Sequence, residues 1–526
     1  MSRLKRKTLS FNTYNFCYAI WTVLGVYNFY FWRQVFSVVS LPVFVLLVVA
    51  SVLFMMILQS LIFHPKMVKV VSILLLMMNT LASYFINMYH LVLNKTMLAN
   101  ILDTNFFEAT EWMGIAFWMY VLAFGVLPSW IVWRVQIQFN PIKERFVKTG
   151  CWIGALMLLL SVFIPYKDTV KVFLKTHFNL RYQFVPTGYI SAGVSLFVHS
   201  FKHTEVIDSV QGMRQDKYWQ EGKKNLIVFV LGESARDANF SLTGYARDTA
   251  QPLRPYLQDM FVFHNTESCG VVTRVSVPCM FGVYSRQNYI EQAVAYTPNA
   301  LEILQKNGVK VFWLDNELGC NKVCRNVVTE YTCKERDCLD VALNEAFKRR
   351  LPSFQEDTMV VLHQRGSHGP RYDLRVPDEL KKWAPFCDRS DHQNCSRQEL
   401  VNAYDNTMHY TTFLIADLIQ TLTGLTDEYN PVLIYISDHG ESLGENDVYG
   451  HGGDFADAPV EQKQVPFFVW MPDSSRKSFG FDKNCLIEKT KNQQSQDVIF
   501  HSLLGLLGVY TDVYDDKLDV FAGCHH

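Results

Sequence analysis

The sequence predicts two unlike parts: an N-terminal bundle of five transmembrane α-helices, then a soluble α/β domain with a mostly parallel central sheet. Three observations carry this. Residues 1–166 are nearly all apolar, whereas the remainder is an ordinary soluble mixture. After residue 223, apolar runs of strand length alternate with helical stretches, and polar residues repeatedly follow the strands. The twelve cysteines divide the same way: Cys17 and Cys151 lie in the apolar part, and the other ten fall between Cys269 and Cys524. A net charge of −1 over 526 residues gives no global basic field, and therefore no case for a nucleic-acid partner.

The N-terminus is basic (Arg3, Lys5, Arg6, Lys7) and residues 8–32 carry no charge. Further apolar stretches follow, so an uncleaved anchor is expected rather than a signal peptide. Spans are predicted at about 12–32, 38–62, 70–90, 113–133 and 149–166, each long enough for a hydrocarbon layer of about 30 Å. Lys66 and Lys69 mark the second loop as cytoplasmic, and Arg134, Lys143, Arg145 and Lys148 mark the fourth. The third loop, 94–111, is acidic and faces outward. Its Asn100, Thr104, Asn105 and Glu108 admit two readings: a solvated loop, or a polar cradle for a lipid headgroup. In the second, Glu108 suits an ammonium group and Asn100 a phosphate oxygen. Residues 167–222, too broken by polar residues and Gly for a span, are expected to form interfacial bridging helices.

In the soluble domain, 223–526, the run 225–231 leads into Gly232-Glu233-Ser234. Glu233 suits a helix cap or a metal ligand at the carboxyl end of a strand. Thr273 stands in Cys269-Gly270-Val271-Val272-Thr273-Arg274-Val275-Ser276-Val277-Pro278-Cys279, at a stretch able to start a helix. It is either an N-cap or a nucleophile whose hydroxyl a metal makes reactive, and a Cys269–Cys279 disulfide would clamp it. Strands 309–314 and 358–362 lead into Asp315-Asn316 and into His363-Gln364-Arg365-Gly366-Ser367-His368-Gly369-Pro370; helices are predicted at 297–307 and 398–423. Strand 432–436 ends in Ser437-Asp438-His439-Gly440, with His451 twelve residues beyond His439. A carboxylate and an imidazole side by side at a strand end suit zinc, although Asp-His-Gly also suits a turn or cap. The clustered cysteines point to disulfides and an oxidising compartment; a zinc ribbon would need paired C-x-x-C units.

Together Glu233, Thr273 through Met280, Gly366-Ser367-His368-Gly369-Pro370, Ser437 through Glu445 and His451 resemble the phosphoethanolamine transferases that modify lipid A. These include the mobile colistin-resistance enzymes and belong to the alkaline phosphatase/sulfatase superfamily. The resemblance covers nearly the whole chain and implies an alkaline-phosphatase-like soluble domain. It implies one zinc held by Glu233, Thr273, Asp438 and His439, and Thr273 carrying phosphoethanolamine taken from phosphatidylethanolamine. His368 and His451 would bind a second zinc or the phosphoryl group. Asn100 and Glu108 match polar residues implicated in donor binding. Where the family often has Ser-Gly-x-Lys-Gly, this chain has Glu317-Leu318-Gly319-Cys320-Asn321-Lys322, leaving Lys322 as the candidate for the usual lysine. The resemblance also suggests the pairs Cys320–Cys324, Cys333–Cys338 and Cys387–Cys395, with Cys485 and Cys524 left to pair. It implies a lipid A phosphate as acceptor, polymyxin resistance as the outcome, and a monomer in the bacterial inner membrane with its catalytic domain in the periplasm. A sulfatase would need C-x-P-x-R at the nucleophile, and none lies near Thr273. A phosphoglycerol transferase of the same superfamily, a transferase with a core-sugar, glycan or protein acceptor, and a membrane-anchored binding protein are the other readings.

Overall fold

The structure, a computed structural model, describes residues 8–525 apart from 105, 165–167, 169–170, 172–174, 176–178, 201–205, 220–221, 318 and 333–337, and only the backbone of 106–108 and 200. The chain forms two compact units. One comprises Met1–Asp103 and Met113–Phe201, the other Thr104–Trp112 and Lys202–His526.

In the first unit three helices among the described residues are long and apolar enough to cross a membrane: Leu41–Ile62, Val68–Tyr89 and Ile115–Arg134. The other two expected spans differ from the prediction for local reasons. The stretch 12–32 is split: helix Phe11–Leu24 stops at the extended Gly25, and the chain resumes as helix Phe29–Val38. Asn28 holds the break. Its amide nitrogen donates to the carbonyls of Thr22 (2.8 Å) and Val185 (3.0 Å), and its oxygen accepts from the Val185 N–H (2.8 Å). The last is helix Ile142–Ser161, which begins earlier than predicted and carries Lys143, Glu144, Arg145 and Lys148 in its first two turns; the end of the predicted span, 165–166, lies outside the described residues.

The helix Ile115–Arg134 passes through a π-helical segment, Val121–Val126. Pro128 has no N–H to offer the Phe124 carbonyl, and the Tyr27 hydroxyl donates to that carbonyl instead, at 2.5 Å. The predicted outward loop contains helices Lys95–Asp103 and Phe106–Glu111, the second of which belongs to the other unit. The bridging region includes helices Leu180–Gln183 and Thr187–Ser200, the latter exposing Ile190, Val194, Phe197 and Val198.

The second unit is built on eight strands: β1 (Lys224–Gly232), β2 (Met260–Glu267), β3 (Lys310–Asp315), β4 (Val328–Tyr331), β5 (Thr358–His363), β6 (Tyr429–Ser437), β7 (Gln464–Trp470) and β8 (Gln494–Ser495). Their order is β8-β2-β7-β6-β1-β5-β3-β4. Strands β6, β1, β5, β3 and β4 are mutually parallel, and β7 runs antiparallel to both β6 and β2. Successive side chains alternate between two cores. Ile227, Phe229 and Leu231 join Val432, Ile434 and Ile436 under helices Thr273–Phe281, Ala300–Lys306 and Val498–Leu506. Leu226, Val228 and Val230 join Leu433 and Tyr435 on the opposite face, under helices Val341–Arg350 and Arg397–Thr423. Capping boxes start two of these helices, Asn299 with Glu302 and Ser396 with Glu399.

The register makes the central strands end together. Gly232 lies beside Ser437, Leu231 beside His363, and Asp315 beside His363. The residues that follow therefore leave the sheet along a single edge, where parallel α/β sheets bind ligands.

Asp519 is buried near helix Val498–Leu506 and accepts from the Tyr514 hydroxyl (2.6 Å) and the Phe521 N–H (2.8 Å). Burial pushes its carboxyl up from 3.8 to about 7. A folded-state value above the unfolded one stabilises fully at acid pH, and that stabilisation is lost as pH rises from about 4 to about 7. Asp519→Asn should remove about 3 kcal/mol of the stability change between about pH 5 and 8. Melting curves across that range test this; equal slopes in both proteins would refute it.

Candidate active site

Glu233 is the first residue beyond β1, and Asp438 and His439 are the first two beyond β6. The edges are stitched by main-chain bonds: Asp438 N–H to Gly232 O at 2.9 Å and Ser367 N–H to Glu233 O at 2.9 Å. Thr273 opens the helix Thr273–Phe281; Val272 occupies the cap position, so the threonine hydroxyl is free of that duty. All four side chains converge. Thr273 Oγ1 donates to Glu233 Oε2 at 3.2 Å and lies 3.4 Å from His439 Nε2. His439 Nε2 lies 3.5 Å from Glu233 Oε1 and 3.3 Å from Asp438 Oδ2.

The protonation pattern follows from the neighbours. His439 Nδ1 faces the Gly440 carbonyl at 2.9 Å, an acceptor only, so the ring proton sits on Nδ1 and Nε2 presents a lone pair. Burial lowers the His439 value and keeps the ring neutral. Burial also pushes the Glu233 carboxyl well up, and the Asp438 and Glu317 carboxylates push it the same way. Asp438 Oδ2 is buried and accepts no hydrogen bond. Two carboxylates and an imidazole lone pair thus face one another with too few protons between them, an arrangement that a cation relieves. The ligand atoms of Glu233, Asp438 and His439 lie within 4.8 Å of one another. The Thr273 hydroxyl stands against the same group, 3.2 Å from Glu233 Oε2 and 3.4 Å from His439 Nε2. The residues fit a divalent ion.

His451 and His368 extend the site. The His451 ring centroid is 4.2 Å from that of His439 and 5.3 Å from that of His368. Glu441, His439 and His451 form a second group able to hold a metal. Burial, then the charges of His451, Arg375 and Arg365, hold His368 well below its usual range.

Sequence reasoning missed three contributors. Glu441 binds His451 Nδ1 at 2.7 Å and accepts from the Tyr372 hydroxyl at 2.8 Å. Glu317 Oε1 lies 4.0 Å from His368 Nε2. Gln496 Nε2 donates to the carbonyls of Ser437 (2.7 Å) and Asp438 (2.6 Å), while its oxygen accepts from the Cys269 N–H (2.7 Å). A signal for Glu441 existed: Asn446-Asp447, both at positive φ, turn the hairpin that pairs Ser442 with Gly450 and carries His451 back to Glu441.

Other candidates stand elsewhere. Asn100 is half-buried in helix Lys95–Asp103 of the first unit. The side chain of Glu108 lies outside the described residues. Lys322 is exposed at φ +72° and makes no hydrogen bond or ion pair among the described residues. Disulfides join Cys269–Cys279, Cys320–Cys324, Cys387–Cys395 and Cys485–Cys524. Cys338 is also oxidised, whereas Cys333 lies outside the described residues, and Cys17 and Cys151 are free. The Cys269–Cys279 bridge closes a loop of sequence separation 10 around Thr273. Replacing both cysteines by Ser should cost up to about 3 kcal/mol through chain entropy. A melting point unchanged from wild type would show that the bridge constrains nothing.

Family models for sulfatases and for phosphoethanolamine transferases EptA/EptB match residues 225–509 and 50–201. The chain is 35% identical over 465 residues to phosphoethanolamine transferase EptA of Escherichia coli K12, covering 86% of this chain and 84% of that protein. It is 32% identical over 498 residues to phosphatidylethanolamine transferase Mcr-1 of Escherichia coli, covering 90% of each. The solved structure of lipooligosaccharide phosphoethanolamine transferase A (EptA) from Neisseria meningitidis superposes with a TM-score of 0.93 at 28% identity, covering 99% of this chain and 100% of that one. The converging threonine, carboxylates and histidines therefore sit in a chain that belongs to the phosphoethanolamine transferases of the EptA and Mcr type, within the alkaline phosphatase/sulfatase superfamily.

Proposed function

We propose that this chain transfers phosphoethanolamine from phosphatidylethanolamine to a phosphate of lipid A, by way of a phosphothreonine on Thr273, with zinc held by Glu233, Thr273, Asp438 and His439. The observation that carries this reading is the hydroxyl of Thr273 within 3.2–3.4 Å of Glu233 and His439 at a helix N-terminus. The name of Mcr-1 supports phosphatidylethanolamine as donor, and that of the Neisseria enzyme supports a lipooligosaccharide-type acceptor.

Two displacements account for the reaction. Thr273 Oγ1 forms a bond to the donor phosphorus while the phosphorus–oxygen bond to diacylglycerol breaks, that oxygen leaving with the electron pair and taking up a proton. The hydroxyl proton of Thr273, which points at Glu233 Oε2, is released in the same step. A phosphate oxygen of the acceptor then attacks the same phosphorus, and Thr273 Oγ1 leaves. The N-terminus of helix Thr273–Phe281 presents its dipole to the equatorial oxygens. His368, which burial keeps neutral, and His451 hold those oxygens or exchange protons with them, His451 being oriented by Glu441. Zinc, when bound, supplies Lewis-acid polarisation of the threonine hydroxyl and charge neutralisation of the phosphoryl group.

The catalytic domain, 223–526, lies in the periplasm in this reading, and the N-terminus lies in the cytoplasm. The five crossings expected within 1–166 put this domain opposite the N-terminus and on the same side as the loop 94–111. The oxidised cysteines of the second unit support it. Residues 167–222 rest at the membrane interface, the loop 94–111 with Asn100 and Glu108 receives the donor headgroup, and the enzyme works as a monomer. The product carries an ammonium over each modified phosphate, which weakens attraction of polymyxins and other cationic peptides. Mass spectrometry of lipid A from cells expressing the chain tests the reading. Added phosphoethanolamine is expected; unchanged lipid A would reject the acceptor.

A further inference from the structure

Glu111 comes from the short segment Thr104–Trp112, which the chain inserts between two stretches of the first unit yet which packs as part of the second. Its carboxylate is wholly buried and meets two arginines. Arg375 engages it with both terminal nitrogens, Nη1 at 3.1 Å from Oε1 and Nη2 on Oε2. Arg365 Nη2 also reaches Oε1, at 3.1 Å. The Ser390 hydroxyl donates to the Glu111 carbonyl, fixing the backbone as well.

Both arginines flank His368. Arg375 Nε donates to the His368 carbonyl at 3.0 Å. Arg365 lies three residues before it, in a loop whose Arg365 and Gly366 N–H groups both bind Asp340, each at 2.8 Å. The other side of that loop rests on Glu233: Ser367 N–H donates to its carbonyl, and a Cβ at Gly366 (φ +52°) would stand 2.6 Å from the same oxygen. The loop carrying His368 is therefore bracketed, by Glu233 on one side and by the Glu111–arginine cluster on the other.

We propose that Glu111 is a positioning residue for His368: it pins Arg365 and Arg375 and offsets one of their two charges, and Arg375 holds the His368 main chain at the phosphoryl end of the site. This rests on the transfer reaction proposed above, in which His368 acts on the phosphoryl group. Glu111 also belongs to the stretch joining helix Lys95–Asp103 to helix Ile115–Arg134, so the docking of that stretch sets the geometry of a residue far away in sequence. A carboxylate paired with two buried guanidinium groups is expected to act through geometry, because removing it strands two charges that must then move.

The test uses the full-length protein in lipid vesicles containing a fluorescent phosphatidylethanolamine, with lipid A as acceptor. Diacylglycerol release and lipid A modification are both measured. Glu111→Gln removes the charge and keeps the shape; Glu111→Asp keeps the charge and withdraws it by one methylene. Glu111→Gln should lower kcat about 100-fold, with the donor KM within about twofold of wild type. Glu111→Asp should fall between the two proteins. A kcat unchanged in a folded variant, or a raised KM with unchanged kcat, would overturn the proposal. So would failure of both variants to fold, since Glu111 would then serve the fold alone. Wild-type protein inert in both assays would instead defeat the transfer reading and this inference with it. Wild-type protein that releases diacylglycerol without modifying lipid A would defeat only the acceptor.

Discussion

Thr273→Ala should abolish phosphoethanolamine transfer, lowering kcat by about 10⁴-fold or more, while the protein still folds. The threonine side chain is not a helix cap, since Val272 holds that position without a side-chain bond, so alanine removes no capping interaction. What disappears is the one oxygen that hydrogen-bonds Glu233 while facing His439. Thr273→Ser, which keeps the oxygen, should retain far more activity, and intact-mass analysis after incubation with donor lipid should find a phosphoethanolamine adduct only where residue 273 has a hydroxyl. An adduct on the alanine variant, or transfer near the wild-type rate, would remove the covalent step from this account.

The second large effect is that expected of stripping the proposed metal. Glu233 and Asp438 are both fully buried, and Asp438 Oδ2 has no hydrogen-bond donor. Without a cation, one of the two carboxylates must carry a proton or the site must open. Chelation should abolish transfer. At zinc concentrations about 1,000-fold above Kd, re-addition should restore about 4 kcal/mol of stability, or about 8 °C in Tm for a domain of this size. Asp438→Asn should show the low melting point of stripped wild type and gain little from zinc. Full transfer by a protein that elemental analysis shows to be free of divalent metal would refute a metal site at Glu233, Asp438 and His439.

Much of this site was legible because its residues follow unbroken apolar strands. Strands β1 and β6 are buried on both faces, so they stand out as continuous apolar runs, and Glu233 and Asp438 stand where those runs stop. Strands β2 and β7 were not recognised. In β7, Pro466 interrupts the pattern, and the structure places an irregularity there, between Val465 and Phe467. The break in the first expected span was hidden for the opposite reason: Asn28 is a single polar residue in an apolar run, and its partner Val185 lies 157 residues away. The cluster of Glu111 with Arg365 and Arg375 spans 254 and 264 residues, a distance at which local pattern carries no information. Glu441 was present within the recognised motif, but its contact with His451 depends on a hairpin of only seven paired or turning residues beyond Leu443, where strand signals are weak.

The sheet order has a consequence for how the protein is made. Strand β6 sits between β1 and β7, although some 200 residues of chain separate it from β1. As the polypeptide reaches the compartment where it folds, Glu233 and Thr273 arrive first and must wait for Asp438 and His439 to slot beside them. Such distant pairing is slow to form. In the proposed reading, ion loading is accordingly a late event, and a chain truncated before residue 438 should carry Thr273 in an inert state.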